Sequence, residues 1–574
     1  MHPRRQLPPT VVAVLARLTA ATALLAAAGA FLGLIPAVAT AAPAVTNAND
    51  SGPGSLRAAV EGAGPEETVV VPPGTYTLTS GELVIAKSLI LAGSGADTTI
   101  IRAGGNFRVI DVDASGPPGV TLSDLTVTGG RVLASPLGGG ILSSASQLTL
   151  DGVHVVDNVV EGPVTEGAGV AVRTPGAALT VRDSVIAGNE AKATAISEGG
   201  GLYSRESGAV TVERSTFTAN RAESGVIVEG GGIGIRGSGP VTILASTVAG
   251  NVAGGTGTIV VGGGLYLNEM KEARLAELTV SGNQAAGNSV GSGGGLYVGV
   301  SSGGKFSILA STLVGNSAPT GGNLAGGPDV SIGDSVVSGG SGDPGQENCS
   351  VAVTSLGFNL ESADQCGFHS PGDKVGLDPQ LGPLQGNGGP TATMLPAPTG
   401  PLVDQGASFG LATDQRGLPR PVEYPGVPNS TAPGADGSDI GAVELQPPPP
   451  VGGRPAPPSS AVVPLTLRLG KLTKNRKRGT ATLQVSFSAP ATGTLRLSGK
   501  GLERRIRRLS GATTATLGVA GNRKTRRLLR RDGGRKFRLT VSFAPSVGGP
   551  ALTAGRKVAL ARKPGRPGRG THHG

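Results

Sequence analysis

The sequence predicts an all-β chain, a parallel β-helix followed by a small immunoglobulin-like β-sandwich, and three observations carry that prediction. Gly supplies 97 and Pro 43 of the 574 residues while aromatics make up only 3%. No collagen G-X-Y or coiled-coil heptad period accompanies this composition. A string of the form Gly-Gly-Gly-[Ile/Leu]-Tyr recurs about every 31 residues. Charge is divided between two bodies: residues 42–460 carry 19 Lys and Arg against 37 Asp and Glu, whereas residues 461–574 carry 27 against two. Opposite net charges of −18 and +25 on one chain argue for separate domains with separate partners.

Residues 1–41 read as an export signal. Arg4, Arg5 and Arg17 precede an apolar stretch from Leu18 to Val38, and Ala39-Thr40-Ala41 forms a small-residue cleavage site. An uncleaved membrane anchor is the alternative, but Gly29, Gly33 and Pro36 interrupt the stretch. No later segment is long and apolar enough to span a bilayer, so none is expected after signal cleavage.

Residues 42–64 form the expected cap. Ser55 can cap a short helix ending before Gly62, and a helix here would cover the first open coil of a sheet. Residues 65–345 are the expected β-helix. The Gly triplets and their variants start at Gly167, Gly199, Gly230, Gly262 and Gly293, spaced 32, 31, 32 and 31 residues apart. A second marker keeps the same period: Asn158, Asn189, Asn220, Asn251, Asn283 and Asn316. Alternating β-branched runs such as Val210 to Val212 lie between them, with no 3.6-residue stripe. A strand-only unit of this length suits one solenoid coil better than a propeller blade.

In flanking coils Gly130 and Gly340 replace the Asn. Because Asn and Gly both tolerate positive φ, the position reads as a left-handed corner with stacked, hydrogen-bonded amides. A ligand-binding Asn row is the sharper alternative. Tyr203, Tyr266 and Tyr297 likewise share one rung position, with Gly234 between them, and read as stacked aromatics before they read as a sugar platform.

The run from Asn49 to Arg57, the Pro73-Gly-Thr-Tyr76 turn and the Gly-triplet coils resemble bacterial right-handed parallel β-helix proteins of the pectin-lyase-like group. The runs Asp378 to Thr391, Val403 to Ala407, Asp414 to Pro421 and Asp439 to Glu444 resemble the choice-of-anchor Q domain, which assigns residues 346–446 to such a segment. That resemblance implies architecture and surface location and names no reaction. Cys349 and Cys366 are the only cysteines. In an exported chain they read as a disulfide, worth on the order of 3 kcal/mol by loop closure.

Residues 447–460 are a Pro-rich linker, which should stay extended. Residues 461–563 carry about seven β-like runs and read as the basic sandwich, with a disordered basic tail at 564–574. Positive charge concentrates at Arg504, Arg505, Arg507 and Arg508, at Arg523, Lys524, Arg526 and Arg527, and at Arg530 and Arg531. The expected partner is an anionic cell-envelope polymer or polysaccharide; a solvated basic surface is the bland alternative. Specific nucleic-acid reading is not expected without interleaved aromatics.

No cofactor, metal or catalytic site is expected. Five His, two of them at the C-terminal end, cannot readily build a triad or a zinc site, and no Asp-Asp dipeptide occurs. Asp111 and Asp113 form only a thin acidic spot. Two readings follow: a non-catalytic, adhesin-like protein secreted to the cell surface and held there by its basic module, or a polysaccharide lyase or glycoside hydrolase on the same fold.

Overall fold

The computed structural model describes residues 44–448, 467–545 and 552–561, apart from 115, 134, 135, 238, 288–290, 328, 351 and 533. The expected signal peptide, nearly all of the linker and the tail lie outside the described residues. The chain divides into two compact units, Met1–Pro447 and Pro448–Gly574.

In the first unit, helix α1 (Leu56–Gly62) starts where Ser55 accepts a hydrogen bond from the Ala58 N–H, at 3.2 Å, and it buries Leu56, Ala59 and Val60. Arg57 donates to the carbonyls of Glu82 and Gly81 and pairs with Asp50 at 2.9 Å, which ties the cap to the first coil. Short parallel strands then stack coil upon coil. They form an 18-stranded, a 12-stranded and a 9-stranded sheet; a long apolar core runs through the coils, and the 9-stranded sheet buries a separate row of small apolar residues, among them Val160, Ala191, Ala222 and Ala253. Register is kept position by position, as in the row Ile186, Phe217 and Val248. Neighbouring strands in such a ladder lie about 4.8 Å apart.

The Gly triplet and the Asn, read as separate markers, touch each other. Gly199 has φ +68°, so it makes the left-handed turn. A Cβ on Gly200 would lie 2.4 Å from the Gly231 carbonyl oxygen, and one on Gly201 would lie 2.9 Å from the Asn220 amide. The triplet therefore supplies one turn and two close approaches, the second against the Asn of the same coil.

The Asn positions require a correction. The Asn residues are not at positive φ; the residue before each one is, namely Asp157, Gly188, Ala219, Gly250, Gly282 and Gly315, at φ between 53° and 69°. The turn is made one position earlier, and the Asn serves by its side chain. Each Nδ2 donates to the Oδ1 of the next Asn at 2.9 Å, from Asn158 through Asn189, Asn220, Asn251 and Asn283 to Asn316. The ladder continues through Asn323 to Asn348, two members that the spacing did not reveal.

Parallel pairing also runs past residue 345. Thr354–Gly357 pairs with Val330–Gly333, and Leu360–Glu361 with Val336–Ser338 and Lys374–Val375. Cys349 and Cys366, both buried, are joined as a disulfide with Cα atoms 5.1 Å apart, inside the core of these last coils. After Val375 the chain drapes over the 12-stranded sheet. Its Gln415 accepts from Thr279 Oγ1 at 2.6 Å and donates to Thr247 Oγ1 at 2.9 Å, while Ala442 N–H donates to Thr312 Oγ1. Those three threonines form one register row, buried by this covering segment.

The residues that carried the anchor-Q resemblance converge there. Arg420, fully buried, donates to Glu444 at 2.9 Å and to the carbonyls of Asp439 and Gly441 at 2.7 Å, and lies 3.5 Å from Asp334. Asp414 accepts from Arg416 and from the Glu444 N–H, and Asp404 from the Tyr424 N–H.

In the second unit the described residues do not show the two-sheet immunoglobulin-like arrangement. They form one five-stranded antiparallel sheet and a helix, α2 (Arg523–Asp532), folded around Leu483, Val485, Leu495, Leu497, Leu539 and Phe543. Asn522 caps α2 by accepting from the Thr525 N–H at 3.0 Å. Six of its ten residues are basic, and Leu529 alone of its apolar side chains is fully inserted in the core.

Candidate functional site

Charged side chains converge in two places, one in each unit. In the β-helix, Glu166, Glu198 and Glu229 stack in register across three coils, Glu198 and Glu229 directly before a Gly triplet and Glu166 before its variant Gly167-Ala-Gly169. The spacing of 32 and 31 residues was visible in the sequence. It was missed because Val261 and Ser292 take the position in the next coils. Arg173 lies 3.1 Å from Glu166, and Tyr203 donates to Glu198 at 2.7 Å. The Tyr266 and Tyr297 rings stack with centroids 5.6 Å apart, and the Tyr203 ring packs over Gly234. Tyr203 and Tyr266 are 0% and 2% exposed and belong to the core, and only Tyr297, at the end of the row, is half-buried, so the three rings do not form an open platform.

Burial first, then the neighbouring Glu198 carboxylate, pushes Glu229 up to about 7. Burial also raises Glu166, whose Arg173 partner opposes the shift. A raised carboxyl means that the folded chain holds a proton the unfolded chain would release between about pH 4.5 and 7. That stabilisation is complete below the unfolded value and is lost as pH rises through 7. The shift is worth roughly 3 kcal/mol. The β-helix is therefore expected to melt higher at pH 5 than at pH 8 relative to Glu229→Gln, and equal pH dependence of the two proteins by calorimetry would contradict this.

The Asn ladder offers nothing to a ligand. Asn220 Nδ2 donates to Asn251 Oδ1 and to the Ile186 carbonyl, and its Oδ1 accepts from Asn189 twice. Asp111 lies apart from the glutamates, beside Arg108. Among the described residues no three His, Cys, Asp or Glu are placed to hold a metal ion.

The second convergence is the basic face of the C-terminal unit. Arg504, Arg505, Arg507, Arg523, Lys524, Arg526, Arg527, Arg530 and Arg531 are all exposed, and the Arg508 side chain lies outside the described residues. The structure places the last six on α2 and the first three on the strand Arg505–Val519 or just before it. Only Glu503 and Asp532 supply negative charge in residues 461–574. Both are engaged: Glu503 pairs with Arg505 and Arg526, and Asp532 with Arg531 and Arg535. Arg504, Arg523, Lys524, Arg527 and Arg530 have no acidic partner among the described residues. A cavity of about 250 Å³ opens in this face, lined by Lys477, Arg478, Arg526, Leu529 and Arg530. Lys477 and Arg478 were not singled out in the sequence, because the turn that bears them lies some fifty residues before α2.

No described helix is long and apolar enough to cross a membrane. No curated protein matches the chain. Among solved structures, full-length tailspike protein 2 from Escherichia coli O157:H7 bacteriophage CAB120 is 10% identical, with a TM-score of 0.31 over 88% of this chain and 65% of the tailspike chain. The chain thus spans slightly less than two thirds of that protein's length. The family model described as right handed beta helix region matches residues 139–341, and over that stretch, which holds the Gly triplets, the ladder from Asn158 to Asn323 and the glutamate stack, the chain is a right-handed parallel β-helix.

Proposed function

We propose that this is an exported, non-catalytic surface protein whose β-helix is a display scaffold and whose basic C-terminal unit holds it on an anionic envelope polymer. The observation that carries the reading is the charge balance of that unit: two acids, both already paired, beneath a face of unpaired guanidinium groups. Unpaired like charges repel one another and attract a polyanion. Residues 346–446 act in this reading as a choice-of-anchor Q-like segment, supported by the meeting of Asp404, Asp414, Arg420, Asp439 and Glu444 around one buried centre.

The full chain is expected to be retained on immobilised polygalacturonate or poly(glycerol phosphate) at low salt and to elute at about 0.5 M, where screening shortens to a few ångströms. A variant carrying R504Q, R523Q and R527Q should elute earlier. If it elutes with the parent chain, or if the parent is not retained at low salt, the charge reading is wrong.

A lyase or hydrolase is the second reading, favoured by one observation: Glu198 and Glu229 are neighbouring carboxylates of which one is raised. Glu198 is only 5% exposed, beneath the fully buried Tyr203, which leaves little access for a sugar. Cleavage of a uronic-acid or neutral glycan by the purified protein, lost in Glu229→Gln, would establish this reading in place of the first.

A further inference from the structure

We propose that the cavity between the Asn475–Gly479 turn and α2 is a phosphate-binding site that seats a phosphate group of the polymer on which the chain is held. The proposal rests on the charge reading above and sharpens it from polyanions in general to one chemical class. Four of the five lining residues are cationic: Lys477 and Arg478 from the turn, and Arg526 and Arg530 one turn apart on α2. The fifth, Leu529, is 2% exposed and anchors the helix in the core, so the two arginines stand on a fixed floor. The turn is set as well, since the Arg478 N–H donates to Asn475 Oδ1 at 3.1 Å and the Gly479 N–H to the Asn475 carbonyl at 2.9 Å.

Of the four cations only Arg526 has an acidic partner among the described residues, Glu503. The others enclose about 250 Å³ with no counter-charge, so an anion entering the cavity relieves repulsion already present. The chemical class follows from direction and from what is missing. Guanidinium forks and an ammonium arrive from two separate elements, which suits the tetrahedrally disposed oxygens of a phosphate better than the two coplanar oxygens of a carboxylate. No aromatic side chain lines the cavity, so nothing there stacks on a nucleobase. The fitting occupant is a phosphate on a polyol or sugar chain.

The test uses the full chain in about 0.15 M salt, with poly(glycerol phosphate), polygalacturonate and single-stranded DNA as probes at equal charge concentration. The expected result is on the order of tenfold tighter binding of poly(glycerol phosphate) than of the other two, the margin of one well-placed charged contact, with competition by inorganic phosphate. A K477Q/R478Q/R530Q variant should lose both the preference and the competition. An R504Q/R523Q/R527Q variant, which removes the same charge outside the cavity, should bind every probe more weakly and keep the preference. Circular dichroism confirms that both variants fold. If the parent shows no preference, if it prefers DNA, or if the two variants behave alike, the site is overturned while charge tethering stands. If the parent binds none of the probes, the tethering reading itself fails.

Discussion

Replacing Arg420 by Met is expected to destabilise the β-helix unit by roughly 3–5 kcal/mol, the cost of leaving buried charge uncompensated. Arg420 and its partners Asp334 and Glu444 have fully buried side chains. Burial drives Asp334 well above the usual carboxylate range, and Arg420 is what pulls it back. Without the guanidinium, two carboxyl groups and the carbonyls of Asp439 and Gly441 lose their donor at once. Asp334 also receives the Ala407 N–H at 3.1 Å, so the damage should spread into the covering segment. Calorimetry should show a lowered transition, and limited proteolysis should cut first between residues 376 and 446. A variant that melts like the parent and resists protease equally would mean that the network contributes nothing to docking this segment.

A loss of similar size is expected for Asn220→Leu, which keeps the branched arrangement of heavy atoms, removes the side chain's hydrogen bonding and adds bulk. The substitution leaves the Asn189 N–H without its acceptor, removes the Asn220 donor from the Ile186 carbonyl, and takes one of two partners each from Asn189 Nδ2 and Asn251 Oδ1, which keep the Val155 carbonyl and the residue-220 N–H. An orphaned buried donor costs about 1–3 kcal/mol and each further lost bond about 1 kcal/mol, so the total is still several kcal/mol. Gly201→Ala should act on the same contact from the other side, because its Cβ would sit 2.9 Å from the Asn220 amide and 2.6 Å from the Gly232 carbonyl oxygen. Solenoid stability is largely a sum over neighbouring coils. Hydrogen exchange should therefore rise first in the coils bearing Asn189, Asn220 and Asn251. Protection unchanged in both variants would show the ladder to be dispensable.

Periodic features were legible because a solenoid repeats its local environment: the Asn spacing located the ladder, and the Gly triplets located the turns. What the spacing did not show was the division of labour, in which the residue before each Asn takes the left-handed turn. Asn323 and Asn348 fell out of period because they stand before Leu324 and Cys349, in the place that Gly295, the third Gly of a triplet, holds before Leu296. The partner of Arg420 could not be read at all, since Asp334 lies 86 residues upstream. Helix α2 was hidden by its own charge: with Thr525 and Leu529 as its buried residues it shows almost no apolar stripe. The cavity needed that helix and a distant turn together, and neither alone signals a site.

The measurement that bears most directly on the account is the affinity of the full chain for poly(glycerol phosphate) as a function of salt. Binding by unpaired exposed charge releases counterions, so the logarithm of the association constant should fall linearly with the logarithm of salt concentration, by about 0.7–0.9 for each phosphate neutralised. With five α2 and strand-edge cations lacking acidic partners and two more in the turn, a slope steeper than about −3 is expected. An affinity that stays flat between about 0.05 and 0.5 M salt would show that attachment does not run through the basic face.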